Sequence, residues 1–284
     1  MNALLSAGPR PSIQHGFGFS TRGAKPAGGC LDRLTDPLDQ LISKSEHLLS
    51  KAMGEFTSQG RTYSLPRYLY LGPKGGGDII RLGIFATIHG DEPEGAFALH
   101  RLVELLEANP ELARGYALFL YPVCNPTGFE DGTRFSRSGR DLNREFWNGS
   151  LEPEVKFLES EIWMQAFHGI INLHMDDTSD GVYGYVNGTI LSEYLLEPAL
   201  RAAERFLPRD HRLEIDGFQA RQGMIHDSFK GVLRAAPGTE QPPFELTLET
   251  PQRAHVQHQI EALSASLLSI LDEYRQLIAV AANI

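Results

Sequence analysis

The stretch Ile84–Gly95, IFATIHGDEPEG, constrains the chain more than any other: an apolar run stops at His89, and a Gly, two acids and a Pro follow at once. It reads as a strand running into a helix. Pro93 suits the first turn of that helix, and Leu99, Leu102, Val103 and Leu106 then repeat at i, i+3, i+4 and i+7. The turn between them holds His89 and Glu92 at the carboxyl end of a strand, where open α/β sheets place their ligand sites. An imidazole and a carboxylate in such a turn can reach one metal ion, so this is a candidate half of a zinc site.

The length of 284 residues, with 42% hydrophobic and 22% charged residues, suits one large or two small soluble domains. A net charge of -10, from 26 basic against 36 acidic residues without a dense basic block, argues against nucleic acid or an anionic membrane as the main partner. No apolar run approaches the length of a membrane span. Cys30 and Cys124 cannot build a multi-bridge scaffold, and the start MNALLSAGPRPSIQ has neither a basic n-region nor a full apolar h-region. The expectation is a cytoplasmic protein with reduced thiols.

Residues 1–30, rich in Gly, Pro and Ser, read as a partly ordered arm. From Asp36 and Pro37 an apolar face through Leu38, Leu41, Ile42, Leu49, Ala52, Met53 and Phe56 predicts a packing helix up to Gly60. Strands follow near Arg67–Leu71 and Ile79–Ile88, joined by GPKGGGD, which has no phosphate-loop spacing and reads as a flexible hairpin connection. After the helix over 93–109 come a buried strand, Tyr116–Val123, and a polar loop carrying Arg134, Arg137, Arg140 and Arg144. A helix over 152–168 precedes GIINLH, a strand closing on His174, and then MDDTSDG, ordinary turn chemistry. A strand near Tyr183–Val186, a helix from Leu191 to Phe206, a core strand Phe244–Pro251 ending near Glu249, and a closing helix from Val256 complete the reading. Residues 207–243 show no clear pattern. No internal repeat or linker interrupts 60–284, so a single domain is expected, placed over 31–284.

His-x-x-Glu by itself is weak evidence, since the chain carries it at His89/Glu92, His211/Glu214 and His258/Glu261. Context separates them. His211 sits in the charged stretch PRDHRLE, and His258 with Glu261 reads as an exposed helical pair. Only His89 ends an apolar strand. His174 repeats that context, and Asp141 and Glu249 supply acids near the ends of other core segments.

Taken in order, HGDEPEG, NPTGF with GTRFSRSGRDLNREF, NLH and LTLETP resemble the zinc carboxypeptidase family of the carboxypeptidase A type, together with its aspartoacylase and succinylglutamate desuccinylase relatives. The motifs span Ile84–Pro251, more than half of the chain. The resemblance implies a three-layer α/β/α sandwich with a mixed sheet of about eight strands. It implies one Zn²⁺ per chain held by His89, Glu92 and His174, with the fourth position left to water whose pKa falls to about 7. Glu249 corresponds to the general base, Arg134 to the oxyanion arginine, and Asn143 with Arg144 to the pair that grips a free α-carboxylate. Asp141 matches the acid that fixes the tautomer of a zinc-bound imidazole, His89. Arg137, one helical turn along, competes with Arg134 for its role.

Classical members place a substrate-contacting Tyr between the third ligand and the base, but no Tyr occurs from 195 to 248, and Tyr183 and Tyr185 follow His174 closely. The acids Asp176, Asp177 and Asp180 would favour an amino-bearing substrate if they faced the site, although a solvated turn is the simpler reading. The expected activity is zinc-dependent metallopeptidase hydrolysis of an amide next to a free carboxylate, on a small peptide. Alternatives are an N-acyl amino acid deacylase and a non-catalytic metal- or ligand-binding domain. The oligomeric state is open.

Overall fold

The computed structural model describes residues 30–281, so the arm expected over residues 1–29 lies outside the described residues. Its helices are α1 (Asp32–Ile42), α2 (Glu94–Ala108), α3 (Pro126–Asp131), α4 (Pro153–Gln165), α5 (Thr189–Leu191), α6 (Glu197–Ala203) and α7 (Val256–Ala281). A π turn, Ser192–Leu196, joins α5 to α6. The strands are β1 (Leu48–Ser58), β2 (Arg61–Leu71), β3 (Ile80–Ala86), β4 (Tyr116–Tyr121), β5 (Gly169–Asp176), β6 (Tyr183–Val186), β7 (Glu214–Ile215), β8 (Phe218–Arg221), β9 (Met224–Ile225) and β10 (Phe244–Pro251). They form one mixed sheet in the order β1-β2-β4-β3-β5-β10-β6-β9-β8-β7.

The central strand β3 explains why its sequence shows no alternation: both of its faces are covered. Leu82, Ile84 and Ala86 pack with Leu99, Leu102, Val103 and Leu106 of α2 and with Leu263, Leu267 and Ile270 of α7. Phe85 points the other way, into a cluster with Tyr121 and with Val155, Leu158 and Ile162 of α4. Its ring stacks on Tyr121 at 4.4 Å between centroids. Helices on both faces of a mixed sheet make the expected α/β/α sandwich.

Ten strands replace the expected eight or so, and the first correction lies at β1. The predicted helix to Gly60 breaks after Ile42, and Leu48–Ser58 pairs antiparallel with Arg61–Leu71 instead. Gln59 and Gly60 both take positive φ, 48° and 78°, the two-residue turn that matches the twist of a hairpin. The GPKGGGD segment is no hairpin connection, because β4 lies between β2 and β3. The patternless 207–243 stretch supplies β7, β8 and β9, strands of two to four residues too short to show periodicity.

β3, β4, β5 and β10 run parallel, which brings their carboxyl ends to one edge. The register there is specific. Glu249 of β10 sits opposite His174 of β5 and opposite Tyr183 of antiparallel β6, and Thr247 sits opposite Asn172 and Tyr185.

Candidate active site

His89 leaves the sheet through a constrained backbone. Thr87 has φ 55°, a left-handed conformation that a β-branched residue adopts only when its surroundings hold it there. Gly90 lies so close to α3 that a Cβ would meet the Gly128 carbonyl carbon at 2.0 Å. Asn125, just past β4, joins the pieces: its Oδ1 accepts from Gly128 N–H at 2.8 Å, and its Nδ2 donates to the Ile88 and Arg134 carbonyls at 3.2 and 3.4 Å.

The turn delivers Glu92 beneath both imidazoles. Its Oε1 lies 2.7 Å from His89 Nδ1, and its Oε2 lies 2.9 Å from His174 Nδ1 while also accepting from Met175 N–H at 3.1 Å. The three side chains are buried, and their donor atoms lie within 4.8 Å of one another. Among the described residues no other cluster of His, Cys, Asp and Glu comes together in this way. Two imidazole nitrogens and a carboxylate converging on one point fit a divalent metal ion.

The electrostatics of Glu92 and His174 favour binding as well. Burial alone would raise the Glu92 carboxyl, but the two imidazoles outweigh it and hold the group well below the usual carboxylate range. For His174, burial prevails and lowers its pKa, favouring the neutral imidazole that a metal requires. His89 is pushed down by burial and, more strongly in sum, up by Glu92 and Asp141. Its Nε2 lies 3.3 Å from Asp141 Oδ1, and Asp141 is held ionised, against burial, by His89, Arg134 and Arg144.

Arg134 and Arg137 separate cleanly. Arg134 reaches Asp141 Oδ2 through Nε at 3.2 Å and Nη2 at 3.1 Å, and Glu92 Oε1 through Nη1 at 3.4 Å. Arg137 turns outward to Asp131, at 2.6 and 2.8 Å, and also bonds to Glu130 and the Tyr63 hydroxyl. Asn143 follows Asp141, whose Oδ1 accepts its N–H at 3.0 Å, and its Nδ2 lies 3.4 Å from His174 Nε2. Arg144 donates to the Asn143 carbonyl at 2.7 Å and stacks 4.4 Å above the Phe229 ring.

His89, Glu92, His174, Arg134, Asn143 and Arg144 line a cavity of about 430 Å³ that also takes in Glu249, Tyr183, Tyr185, Asn172, Asp216 and Phe229. Glu249 is half-buried, and its pKa is driven well up by desolvation and then by Glu92, Asp176 and Asp216. Asp176 departs from the solvated turn expected of it. Its Oδ1 does accept from Thr178 N–H, but Oδ2 accepts from the Tyr183 hydroxyl at 3.1 Å, and Asp176 and Asp177 both line the cavity. Asp180 is exposed outside it. The remaining His-x-x-Glu pairs stay out: His211 and Glu214 are exposed, and Glu261 bonds to Gln257 and Arg101. Asn172, Asp216 and Phe229 escaped the sequence reading. Two of them lie in the patternless region, and Asn172 looked like an interior strand residue, although its place two residues before His174 puts it on the same face.

A search of curated proteins finds no match. The model of the succinylglutamate desuccinylase/aspartoacylase catalytic domain matches residues 78–206. Among solved structures, the chain is similar to a provisionally named metallopeptidase from Shewanella baltica, at 25% identity and TM-score 0.70, covering 85% of this chain and 91% of that one. It is also similar to a metallo-carboxypeptidase from Pseudomonas aeruginosa in complex with (2-guanidinoethylmercapto)succinic acid, at 19% identity and TM-score 0.66, covering 85% and 68%. An aspartoacylase family protein from Mesorhizobium loti aligns at 16% identity and TM-score 0.54, over 80% and 68%. The last two share the fold. Residues 78–206, which hold the His89, Glu92 and His174 cluster and the loop from Arg134 to Arg144, are thus similar to the succinylglutamate desuccinylase/aspartoacylase catalytic domain, on a chain with the metallo-carboxypeptidase fold.

Proposed function

We propose that the protein is a zinc-dependent hydrolase of the metallo-carboxypeptidase type, with residues 31–284 as one catalytic domain, cleaving an amide bond next to a free carboxylate. The observation that carries this reading is the register that sets Glu249 beside His174, in the same cavity as Arg134 and Arg144. His89, Glu92 and His174 would hold the zinc, which when bound supplies Lewis acidity toward the scissile carbonyl and lowers the pKa of water. Glu249 takes the proton of the attacking water and passes it to the leaving amine. Arg134, half-exposed at the cavity wall, donates to the oxygen on which negative charge develops. Asp141 orients His89 through its Nε2. Asn143 and Arg144 grip the free carboxylate, Arg144 with the guanidinium N–H groups left after its bond to the Asn143 carbonyl. The ligand of the Pseudomonas structure, a succinic acid derivative, is a carboxylate compound of the kind such a pair accepts.

A general base and an oxyanion arginine in one cavity argue against a purely binding domain. One specific observation favours a second reading: the domain match is to desuccinylases and aspartoacylases, so an N-acyl amino acid would be the substrate, held by the same residues. No helix among the described residues is long and apolar enough to cross a membrane. Cys30 and Cys124 are both free thiols, as in a cytoplasmic protein.

A panel of short peptides and N-acyl amino acids, each with a free or an amidated carboxylate, tests the reading. Cleavage of peptides with free carboxylates is expected, with kcat/KM falling by about 10² or more on amidation. Turnover of N-acyl amino acids alone would transfer the assignment to the deacylase, and equal turnover of free and amidated forms would remove Asn143 and Arg144 from substrate binding.

A further inference from the structure

Leu233, in the loop between β9 and β10, orients two amide side chains at once. Its N–H donates to Asn143 Oδ1 at 2.8 Å, and its carbonyl accepts from Asn172 Nδ2 at 3.0 Å. These bonds assign the oxygen and nitrogen of each amide. Asn143 is left presenting its NH₂ and Asn172 its carbonyl oxygen, both to the same cavity. Asn172 is 7% exposed, and its Oδ1 meets no donor among the described residues. A buried acceptor left without a donor costs about 1–3 kcal/mol, which an N–H group of a ligand relieves.

The sheet register shows where that ligand group lies. Asn172, Thr247 and Tyr185 form a row across β5, β10 and β6, two residues before the row of His174, Glu249 and Tyr183. Two residues along a strand span about 6.6 Å, close to the reach of one long side chain. The row that holds the unpartnered oxygen is therefore the floor under the reacting bond.

Charge defines the group further. Asp91, Glu92, Asp176, Asp177 and Asp216 line the cavity against only Arg134 and Arg144. A divalent metal offsets part of that excess, and a substrate carboxylate adds to it again. The Tyr185 hydroxyl donates to Asp216 Oδ2 at 2.9 Å, and the single Tyr183 hydroxyl proton lies between Asp176 Oδ2 at 3.1 Å and Asp216 Oδ2 at 3.2 Å, so the remaining hydrogen-bonding capacity of both hydroxyls toward the cavity is that of acceptors. Floor and wall thus ask for donors and positive charge.

Resting on the reaction proposed above, we infer that the residue bearing the free carboxylate has a side chain ending in a protonated amine or another cationic N–H donor, for which Asn172 Oδ1 is the positioned acceptor and Asp216 supplies opposing charge. A site built to hydrogen-bond a substrate N–H discriminates strongly against the isostere that lacks it.

Calorimetric titration of the purified protein with Nα-acetyl-lysine, Nα-acetyl-norleucine and Nα-acetyl-glutamate reads this directly. The lysine derivative is expected to bind at least about tenfold more tightly than norleucine. Asn172→Leu and Asp216→Asn should each bring that ratio toward one. Asp216 has φ 53°, a conformation that Asn tolerates, and lies in an exposed turn, so the second variant keeps the fold if the first does not. Equal or tighter binding of norleucine or glutamate overturns the inference. Peptides ending in lysine and norleucine, tested for cleavage alongside, separate the two readings: a lysine preference in binding without any cleavage counts against the proposed reaction alone, and cleavage without preference counts against this inference alone.

Discussion

Arg134 and Arg137 leave the same loop on opposite sides, and the difference is measurable. Arg134 touches Glu92 and Asp141 inside the cavity, whereas Arg137 ties Asp131 and Glu130 to the Tyr63 hydroxyl of β2. Arg134→Ala is expected to lower kcat by about 10² to 10³, as for other oxyanion donors. Arg137→Ala should leave kcat of the folded protein near wild type and cost about 1–2 kcal/mol of stability, because it removes charge-assisted bonds at a partly exposed site. Steady-state kinetics and denaturant titration on both variants check the pair, and a larger kcat loss in the Arg137 variant would reverse the assignment. The sequence left this choice open because both arginines sit in one polar loop with no period. Only the fold shows that the Asn125 side chain pins the Arg134 carbonyl next to the His89 turn. The grouping of His89, Glu92 and His174, by contrast, was legible because apolar runs end on His89 and His174 and Glu92 lies in the turn that follows the first. Asn172 was not, since an Asn inside a core strand reads as a satisfied polar residue until its bonding partners are known.

At the scale of elements, the strand-to-helix turn after β3 is held by close backbone approach as well as by side chains. Gly90→Ala would drive a Cβ into the Gly128 backbone and displace His89 relative to Glu92. The expected outcome is a metal affinity lowered by about 10-fold or more, comparable to loss of a supporting contact around a metal ligand, read by competition with a chromophoric chelator. Unchanged affinity would show that the turn relaxes without moving the ligand. The core elements were readable from the sequence: α2, β4, β5, β10 and α7 lie within a few residues of their expected positions, since each carries a long apolar run or stripe. The first hairpin was not. Leu49, Ala52, Met53 and Phe56 fit a helical face, and what decides for β1 is its ladder with β2, a tertiary pairing that propensity does not contain.

For the molecule as a whole, long-range pairing is the information that the sequence conceals. The row of His174, Glu249 and Tyr183 joins residues from three strands, and no local pattern announces their register. Stability should also depend on pH through a buried carboxyl far from the metal ligands in sequence. Glu154, at the start of α4, is 2% exposed with Oε2 unpartnered, and burial followed by the charge of Glu152 raises its pKa from 4.5 to about 7. The folded state therefore binds this proton more tightly than the unfolded state. Its contribution is fully present below pH 4.5 and is lost as pH rises through about 7. Glu154→Gln should become progressively more stable than wild type over that window, by up to about 3 kcal/mol at the alkaline end, as followed by denaturant titration across pH. A constant difference would mean that Glu154 is ionised throughout.

The central claim is that three ligands, one base and a carboxylate grip act together as a hydrolase, and metal content measured beside turnover in wild type and Glu249→Gln tests it most directly. Both proteins should retain one zinc per chain, because Glu249 lies outside the cluster of His89, Glu92 and His174, while the variant should lose about 10² to 10⁴ in kcat. Absence of stoichiometric zinc from the wild type, or turnover indifferent to Glu249, would contradict the account.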